Sequence, residues 1–430
     1  MLKRIIIPLL LILSLTFTSC TQLVYKRTVT NSKIKNTNKN NAVTVDKSKL
    51  DDKINFSPYY KKVELKSGYN ALDYSCEKKV YKAVLSHCTD FTDEKEKPDG
   101  DYLIKSFTVH NCKITRRQLA KAILAVFHDN PQLFWLDQPY IYSIEDDSVS
   151  IKLCSIMTRQ QYNKKLKQLN AVINKLLSGL KKNMSQFELE LYFHDYIVKN
   201  CKYLENKDDD KDSFTLYGCL VNQSAVCMGY TAAFQLLLSY VGIESIPVYG
   251  ESKNTGHVWN AVKIGGDWYY TDVTWDDTDD FFMYDNFNIN TSQLKKTHKI
   301  VPTFTAYNDK QLFEKGVIKS VNLTIPECSA AKYNYYKKKG YTLKSLSDNS
   351  MAKKLASAAK KNERYFYIYV DTKKLNYDKT YKKLFSENIF DFSKYIKTAN
   401  AILGYNALKQ SARVTKKKAL NTITVELEYN

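Results

Sequence analysis

The chain has 430 residues, of which 44% are hydrophobic and 13% aromatic, so its composition excludes a chain that is disordered throughout and predicts two or three domains. Lys and Arg number 65 against 45 Asp and Glu, a formal net charge of +20. A surface this basic attracts anionic cell-wall polymers and lipid headgroups. Because the lysines are spread along the chain and no recognition module is found, no nucleic-acid partner is expected.

The first 19 residues have the pattern of a lipoprotein signal peptide. A basic start at Lys3 and Arg4 precedes an apolar run, and small residues lead to Cys20. We expect cleavage before Cys20, whose thiol then carries a lipid anchor on the extracytoplasmic face of the cell membrane. Phe17 departs from the aliphatic residue that is usual at its place. An ordinary secretory signal or an uncleaved membrane anchor is the alternative, and each version places the protein body outside the cytoplasm.

The sequence divides into five predicted segments. The second is rich in Lys, Asn, Thr and Ser, with too few large apolar residues to offset the entropy of ordering. The three that follow alternate helical and strand patterns and are predicted to be folded. The segments are a signal peptide at 1–19, a disordered tether at 20–57, an N-terminal α+β region at 58–155, a central domain at 156–303 and a C-terminal α+β region at 304–430.

The N-terminal region contains one clear strand and one clear helix. Alternation predicts a strand at Ser106–Val109. Thr115 and Gln118 have the spacing of a capping box that opens a helix, and Pro131 ends that helix. Four apolar residues at 133–136 then follow as a predicted anchor in the core.

Further along, helical patterns run from Arg159 to Asn200. His194 lies there among apolar neighbours, which predicts an interior histidine with satisfied hydrogen bonds. The C-terminal region shows no chemical motif. Its predicted elements are a helix at Met351–Lys361, a strand at Tyr365–Val370, a helix at Phe392–Leu403 and a strand at Thr422–Tyr429.

Nine cysteines are many for an exported protein. With Cys20 assigned to the lipid, eight remain, and no CxxC pair stands among them. A structural zinc site is therefore not expected. Disulfides are an open alternative for some of the eight, and the sequence alone does not say which of them pair.

Cys227 differs from the other cysteines because it directly precedes a helix. The apolar residues of that helix recur at helical spacing, at Tyr230, Phe234, Leu237, Leu238 and Val241. At a helix N-terminus, unpaired N–H groups and the helix dipole lower a thiol pKa from its free value of ~8.5 and can hold an oxyanion. We therefore predict that Cys227 is a nucleophile, and that small Ala225 and Gly229 leave room for a substrate backbone.

A base for this thiol is predicted on the hairpin that follows. Gly265-Gly266 has the pattern of a two-residue turn, and in the resulting register Trp259 faces Asp272. Asp272 is then a same-face neighbour of His257. A carboxylate on one imidazole nitrogen fixes the tautomer and leaves the other nitrogen for the sulfur. Alternation sends Trp275 to the opposite face, toward the core.

Cys227, His257 and Asp272 are thus predicted as nucleophile, base and orienting carboxylate. Each residue alone has a simpler explanation, because a cysteine at a helix start or a histidine in a strand is more often a packing residue. Together, on elements that bring them close, the three favour catalysis.

The two stretches that carry these residues closely resemble the transglutaminase-like superfamily. They read AVCMGYTAAFQLLLSYVGI and GHVWNAVKIGGDWYYTDVTWDD. The resemblance implies a papain-like α+β fold for residues 156–303, in which a helix bearing the cysteine packs on an antiparallel sheet bearing His and Asp. FHDYIVKNCKYLE, DNPQLFWLD and His298 also resemble segments of bacterial exported transglutaminase-domain proteins. Asn222-Gln223-Ser224 departs from the glycine that is common before the Ala-Val-Cys of relatives.

The resemblance implies acyl transfer through a Cys227 thioester, without a cofactor. The acyl group passes to water in a cysteine peptidase or amidase, and to an amine in a transglutaminase-like acyltransferase. The triad alone does not distinguish the two. The implied substrate is a protein or a peptidoglycan peptide. A catalytically silent scaffold lipoprotein, or a lipoprotein subunit that binds wall polymer through its charge, is the alternative.

Three further features are candidates beside the triad. Tyr217 is a candidate for holding the oxyanion, or is a packed aromatic residue. Trp259 is expected to shield the His–Asp pair and flank the substrate channel. Four aspartates, Asp276, Asp277, Asp279 and Asp280, form either a calcium loop or, as their spacing favours, a solvated turn, so no metal is expected. His298 is expected to be a supporting or structural residue.

Overall fold

The computed structural model describes residues 51–98, 100–205, 210–278, 283–301, 303–304, 321–347, 349–385 and 391–430. The predicted signal peptide, Cys20 and residues 20–50 of the predicted tether lie outside this part of the chain, whereas residues 51–57 are described and include the buried Ile54. Within the described ranges, no helix combines the length and the apolar character that crossing a membrane requires.

Helices and antiparallel strands are both abundant, so the fold is α+β. The helices are α1 Ser67–Asn70, α2 Ser75–His87, α3 Arg116–Asp129, α4 Arg159–Ser178, α5 Gln186–Asn200, α6 Cys227–Ser239, α7 Val273–Asp276, α8 Thr291–Leu294, α9 Tyr335–Lys339, α10 Ser350–Lys360, α11 Tyr377–Phe385 and α12 Phe392–Leu403. Tighter or wider helical turns lie at Asp51–Lys53, Lys211–Phe214, Gly218–Asn222 and Lys418–Leu420.

The strands group into three larger sheets and two short pairs. They are β1 Phe91–Lys95, β2 Tyr102–Ile104, β3 Phe107–His110, β4 Leu136–Ile144, β5 Ser148–Ser155, β6 Lys202–Tyr203, β7 Ser224–Ala225, β8 Ser245–Ser252, β9 Thr255–Ile264, β10 Asp267–Thr271, β11 His298–Ile300, β12 Thr303–Phe304, β13 Val321–Asn322, β14 Tyr341–Leu343, β15 Tyr365–Val370, β16 Leu408–Lys417 and β17 Thr422–Tyr429.

The N-terminal sheet is antiparallel, with the order β1-β2-β5-β3 and with β4 paired to β5. Helix α3 begins at the predicted capping box, where the Gln118 backbone N–H donates to Thr115 Oγ1 at 3.3 Å. The predicted strand at Ser106–Val109 is present one residue later, as β3. A disulfide joins Cys76 of α2 to Cys112, which follows β3.

The apolar run after α3 is buried as predicted and links two parts of the molecule. Residues 133–136 are each at most 7% exposed. Trp135 Nε1 donates to the Cys88 carbonyl at 2.7 Å. The Phe134 ring stacks on Tyr217, with 5.9 Å between the ring centroids. The N-terminal sheet and the segment before Cys227 therefore share one hydrophobic core.

The central sheet is antiparallel and has the order β10-β9-β8-β11. Its hairpin has the predicted register, from Asp267 opposite Ile264 to Thr271 opposite Asn260. Gly265-Gly266 makes the turn with φ values of +61° and +91°, a conformation that favours glycine. Helix α6 packs against β8 and β9.

A separate core lies under the C-terminal sheet, whose order is β14-β15-β17-β16. Buried and half-buried side chains alternate along β15, so its two faces contact different parts of the protein. Phe366, Ile368 and Val370 enter the core beneath α10 and α12. Tyr367 points the other way, and its ring lies 5.7 Å from that of Tyr335, in a cluster that includes residues of the central part of the chain.

Candidate active site

Cys227 is the first residue of α6, as the sequence predicts. Val226 before it is extended and serves as the N-cap residue. Cys227 is 1% exposed and forms no disulfide. The first N–H groups of any helix lack acceptors within the helix, so the sulfur stands beside a set of backbone donors.

The helix start is held by close backbone packing, and this corrects one expectation. A Cβ on Gly229 would lie 2.8 Å from the carbonyl oxygens of both Ser213 and Thr215. The Val226 N–H donates to the Ser213 carbonyl at 2.9 Å. The space at Gly229 is therefore filled by the protein's own chain, and does not serve the approach of a substrate backbone.

Strand β9 is fixed against α6 one turn beyond Cys227. Thr231 Oγ1 donates to the Val258 carbonyl at 3.1 Å, and Asn260 Nδ2 donates to the Thr231 carbonyl at 3.2 Å. Val258 packs in the same small apolar cluster as Cys227. His257 therefore lies on the strand that runs past the start of the Cys227 helix.

The predicted His–Asp pair is present, with 2.6 Å between His257 Nε2 and Asp272 Oδ2. Its origin differs from the expected strand pairing, because β10 ends at Thr271 and Asp272 caps the short helix α7. Asp272 Oδ1 accepts from the Trp275 N–H at 3.1 Å. With Nε2 on the carboxylate, the other imidazole nitrogen, Nδ1, is the one left for the sulfur.

The same short helix makes the prediction for Trp275 wrong. A continuing strand would have sent this side chain to the opposite face, but the helical turn returns it to the site. Its ring centroid lies 6.4 Å from that of His257 and 5.0 Å from that of His298. Trp275 is half-buried there.

His298 lies where a supporting residue was expected, but its contact with Asp272 did not follow from the sequence. It lies on β11, opposite Ser252 of β8. Its Nε2 is 3.0 Å from Asp272 Oδ2, and its Nδ1 is 2.7 Å from Thr297 Oγ1. The only sequence signal was the downstream segment's likeness to exported relatives. The carboxylate thus has two imidazole partners.

Asp272 is buried at 1% exposure, and burial alone would raise its pKa. Attraction to His257, together with hydrogen bonds from His257 and His298, outweighs burial and holds the pKa of Asp272 well below its usual range. The carboxylate is therefore ionised throughout the pH range in which an imidazole titrates.

Trp259 covers both imidazoles from one side. It is 1% exposed, and its ring stacks on His257 at 5.8 Å and meets His298 edge-on at 5.0 Å. Gly250 makes room for it, since a Cβ there would lie 2.6 Å from Trp259 Cη2. The Trp259 ring thus keeps water from the His–Asp pair on this side.

Tyr217 is directed elsewhere. Its hydroxyl donates to Gln168 Oε1 at 2.8 Å, and Lys165 Nζ lies 4.9 Å from its ring centroid. These contacts, with its stacking on Phe134, are those of a packed aromatic residue.

Two of the four aspartates considered for a calcium loop, Asp276 and Asp277, are engaged in contacts within the protein. Asp276 Oδ2 lies 3.2 Å from His194 Nε2, and Asp277 Oδ2 accepts from the Tyr230 hydroxyl at 2.5 Å. His194 is fully buried, as predicted, and also bonds Asp195 at 3.1 Å. Asp279 and Asp280 lie outside the described residues.

His257, Asp272 and His298 have the chemistry of metal ligands as well. One donor atom from each lies within 4.8 Å of the others. The contacts of 2.6 and 3.0 Å to Asp272 Oδ2 are hydrogen-bonding distances, so the three are already paired with one another. The expectation that the protein needs no metal stays a prediction.

Residues 174–273 match the family model of the transglutaminase-like superfamily. Two curated relatives, the kyphoscoliosis peptidases of Mus musculus and Homo sapiens, are each 30% identical over 81 residues. Each match covers 16% of this chain and 12% of the relative, so it spans a small part of their length. A solved structure described as that of a TGase is 11% identical with a TM-score of 0.24, covering 32% of this chain and 51% of that one.

Proposed function

We propose, on the basis of the match of residues 174–273 to the transglutaminase-like superfamily, that the protein is a thiol enzyme that cleaves amide or peptide bonds through a Cys227 thioester. The observation that carries the proposal is the 2.6 Å contact between Asp272 and His257, whose strand β9 packs against the start of the Cys227 helix. The curated relatives are named peptidases, which supports water as the acceptor.

In the first half of the proposed reaction, His257 takes the thiol proton and the sulfur of Cys227 attacks the carbonyl carbon, forming a C–S bond. N–H groups at the start of α6 stabilise the oxyanion. As the tetrahedral intermediate collapses, the C–N bond breaks and the imidazolium gives its proton to the leaving amine. Asp272 stabilises that imidazolium because it stays ionised.

In the second half, water attacks the thioester while His257 takes its proton. A C–O bond forms, the C–S bond breaks, and the thiol is restored as the carboxylic product leaves. When an amine attacks in place of water, the same steps yield a new amide and the enzyme acts as an acyltransferase.

We further propose that the enzyme acts outside the cytoplasm, held to the membrane by a lipid on Cys20. The N-terminal pattern supports this, as does the Cys76–Cys112 disulfide, because disulfides persist in oxidising compartments. The proposed substrates are amides of proteins or of peptidoglycan peptides at the cell surface.

The first test is the rate at which iodoacetamide modifies Cys227 near pH 7, followed by peptide mass spectrometry. We expect Cys227 to react faster than a free thiol, and the His257→Ala variant to react about tenfold more slowly or worse, since each ~1.4 kcal/mol of lost stabilisation is a factor of ten. His110→Ala, which removes an exposed histidine, is the matched control and should change nothing. Wild-type reactivity no higher than that of a free thiol contradicts the proposal.

A second measurement separates hydrolysis from transfer. Cell-wall material and a primary amine are incubated with the protein or with Cys227→Ala, and the products are analysed by mass spectrometry. Hydrolysed products that need Cys227 support the peptidase or amidase proposal. Amine-linked products identify an acyltransferase, and the absence of both argues for a silent scaffold.

A further inference from the structure

A cavity of about 390 Å³ lies beside the start of α6. Three of its lining residues, Met228, Thr231 and Ala232, belong to that helix. Met228 directly follows the nucleophile in the chain. Met228 also packs on the apolar cluster that contains Cys227 and Val258. The cavity therefore adjoins the residue that carries the proposed thioester.

The opposite wall comes from the N-terminal region. Phe134 and Leu136 of the buried anchor line it, together with Pro139 of β4. Lys211 holds the two walls together, because its Nζ lies 2.9 Å from Asp137 Oδ2 and also pairs with Asp101. This cavity is thus built jointly by the N-terminal sheet and the transglutaminase-like domain.

Several polar groups on the wall are occupied by the protein itself. Thr231 donates to the Val258 carbonyl, Gln235 Nε2 donates to the His128 carbonyl at 2.9 Å, and Lys211 pairs with Asp137. The larger part of the surface that the cavity offers a ligand is apolar. Its volume is at the lower end of the ~300–1,000 Å³ that is typical of small-molecule sites, and exceeds that of one small side chain.

We propose that this cavity is the specificity site of the enzyme and takes a large aromatic or aliphatic side chain of the acyl substrate, next to the carbonyl that Cys227 attacks. The inference rests on the proposed function for its catalytic part. It names the substrate class as peptide amides with a bulky apolar residue beside the reacting carbonyl. It also gives the N-terminal region a role in substrate choice.

The test compares two chloroacetamides as reagents for Cys227, one N-methyl and one N-naphthylmethyl. In each reaction a C–S bond forms and chloride leaves. The labelling rate of Cys227 with each reagent is divided by the rate of the same reagent with glutathione. We expect this ratio to be about tenfold or more higher for the naphthyl reagent than for the N-methyl reagent, because its ring buries apolar surface in the cavity. A third reagent with an aminohexyl group should show no such preference, and preference for it overturns the proposal.

Ala232→Trp fills the cavity and should abolish the preference for the naphthyl reagent over the N-methyl reagent, because the naphthyl ring can no longer enter. Ala232→Leu is the milder variant if the larger one fails to fold. Ala401→Trp, at an exposed position on α12, is the matched control and should keep the preference. An unchanged preference in both Ala232 variants overturns the proposal.

A binding measurement keeps this inference separate from the proposed function. Calorimetry with N-acetyl-naphthylalanine amide and the Cys227→Ala chain needs no reactive thiol. Saturable binding that Ala232→Trp weakens about tenfold supports the assignment of the cavity as a binding site. If such binding is found while the labelling test of Cys227 fails, only the proposal of an enzyme is contradicted. Absence of binding, or equal binding of N-acetyl-lysine amide, overturns the cavity assignment.

Discussion

At the scale of single residues, Asp272 is the centre of the site. It accepts from two imidazoles and from the Trp275 N–H, so both of its oxygens are engaged. A buried carboxylate without such partners would take up a proton and lose the charge that orients His257. His298 is therefore best understood as a positioning residue that acts through Asp272.

Replacing His298 with Phe should lower the rate of Cys227 labelling by about tenfold, because a hydrogen bond to a charged group contributes roughly 1.5–3 kcal/mol. His298→Gln keeps a donor and should recover part of the rate. The informative readout is the pH profile of labelling. Without the hydrogen bond from His298 the pKa of Asp272 rises, which changes the electrostatic environment of His257 and shifts the profile. Loss of thermal stability with an unshifted profile would show a merely structural role.

His194 makes a second prediction at this scale. Burial lowers its pKa, but the hydrogen bonds that the imidazolium donates to Asp195 and Asp276 prevail and raise it to about 9. In the unfolded chain a histidine titrates near ~6.5, so the stabilisation is complete below that pH and is lost as the pH rises through about 9. The free energy of unfolding should therefore fall by roughly 3 kcal/mol over this window.

Urea unfolding at pH 6.5 and pH 9 measures this effect. The difference between the two pH values should shrink in His194→Phe, while His110→Ala, at an exposed site, should behave like the wild type. An equal pH dependence in His194→Phe and the wild type would show that His194 is not the group responsible.

At the scale of elements, strand β8 decides how close β9 and β11 come together. Gly250 is paired with His257 on one side and with Ile300 on the other. A Cβ on Gly250 would run into the Lys299 carbonyl and lie 2.6 Å from the Trp259 ring. This glycine is thus required for close approach, which differs from the requirement for positive φ at Gly266.

Gly250→Ala should destabilise the protein by about 1–3 kcal/mol through overpacking and should displace Trp259 and His298, so that labelling of Cys227 slows as well. Gly266→Ala is the control, because a Cβ there meets nothing within 4 Å. Gly266→Ala should lower the free energy of unfolding by about 1–2 kcal/mol, because alanine is strained at the positive φ of this position, and should leave the labelling rate of Cys227 unchanged. Equal labelling rates in the two variants would contradict this account.

At the scale of the whole molecule, the net charge is unevenly divided. Residues 304–430 contain 25 Lys and Arg against 11 Asp and Glu, whereas residues 156–303 contain 16 against 17. The central domain is thus close to neutral, and the excess of positive charge lies in the C-terminal region and near the N-terminus. We propose that the C-terminal region holds the protein to anionic wall polymers.

Binding to purified wall polymer should weaken about tenfold or more between 50 and 500 mM salt, because screening shortens the Debye length. Changing exposed Lys353, Lys354, Lys360 and Lys397 to Gln should weaken it at low salt. The matched control changes exposed Lys164, Lys167, Lys175 and Lys182, outside the C-terminal region, and should have less effect. Equal weakening by the two sets of lysine substitutions would contradict a binding surface located in the C-terminal region. The Cys227→Ala variant should bind wall polymer as the wild type does.

Local patterns predicted many elements well. The strand at Tyr365–Val370, the helix at Phe392–Leu403 and the strand at Thr422–Tyr429 have the predicted bounds, because each has a clear period and clear ends. The hairpin register followed from Gly265-Gly266 alone. Local signals also placed Cys227 at the start of α6.

The sequence by itself therefore determined the helix that carries Cys227, the hairpin that carries His257 and the division of charge. Only the tertiary structure decided that Asp272 caps a helix, that Trp275 turns back to the site, that His298 shares the carboxylate and that Gly229 is filled by backbone. The physical reason is the distance along the chain over which each kind of interaction acts. Periodicity and turn chemistry act over a few residues, whereas these contacts join segments brought together only when the sheets pack.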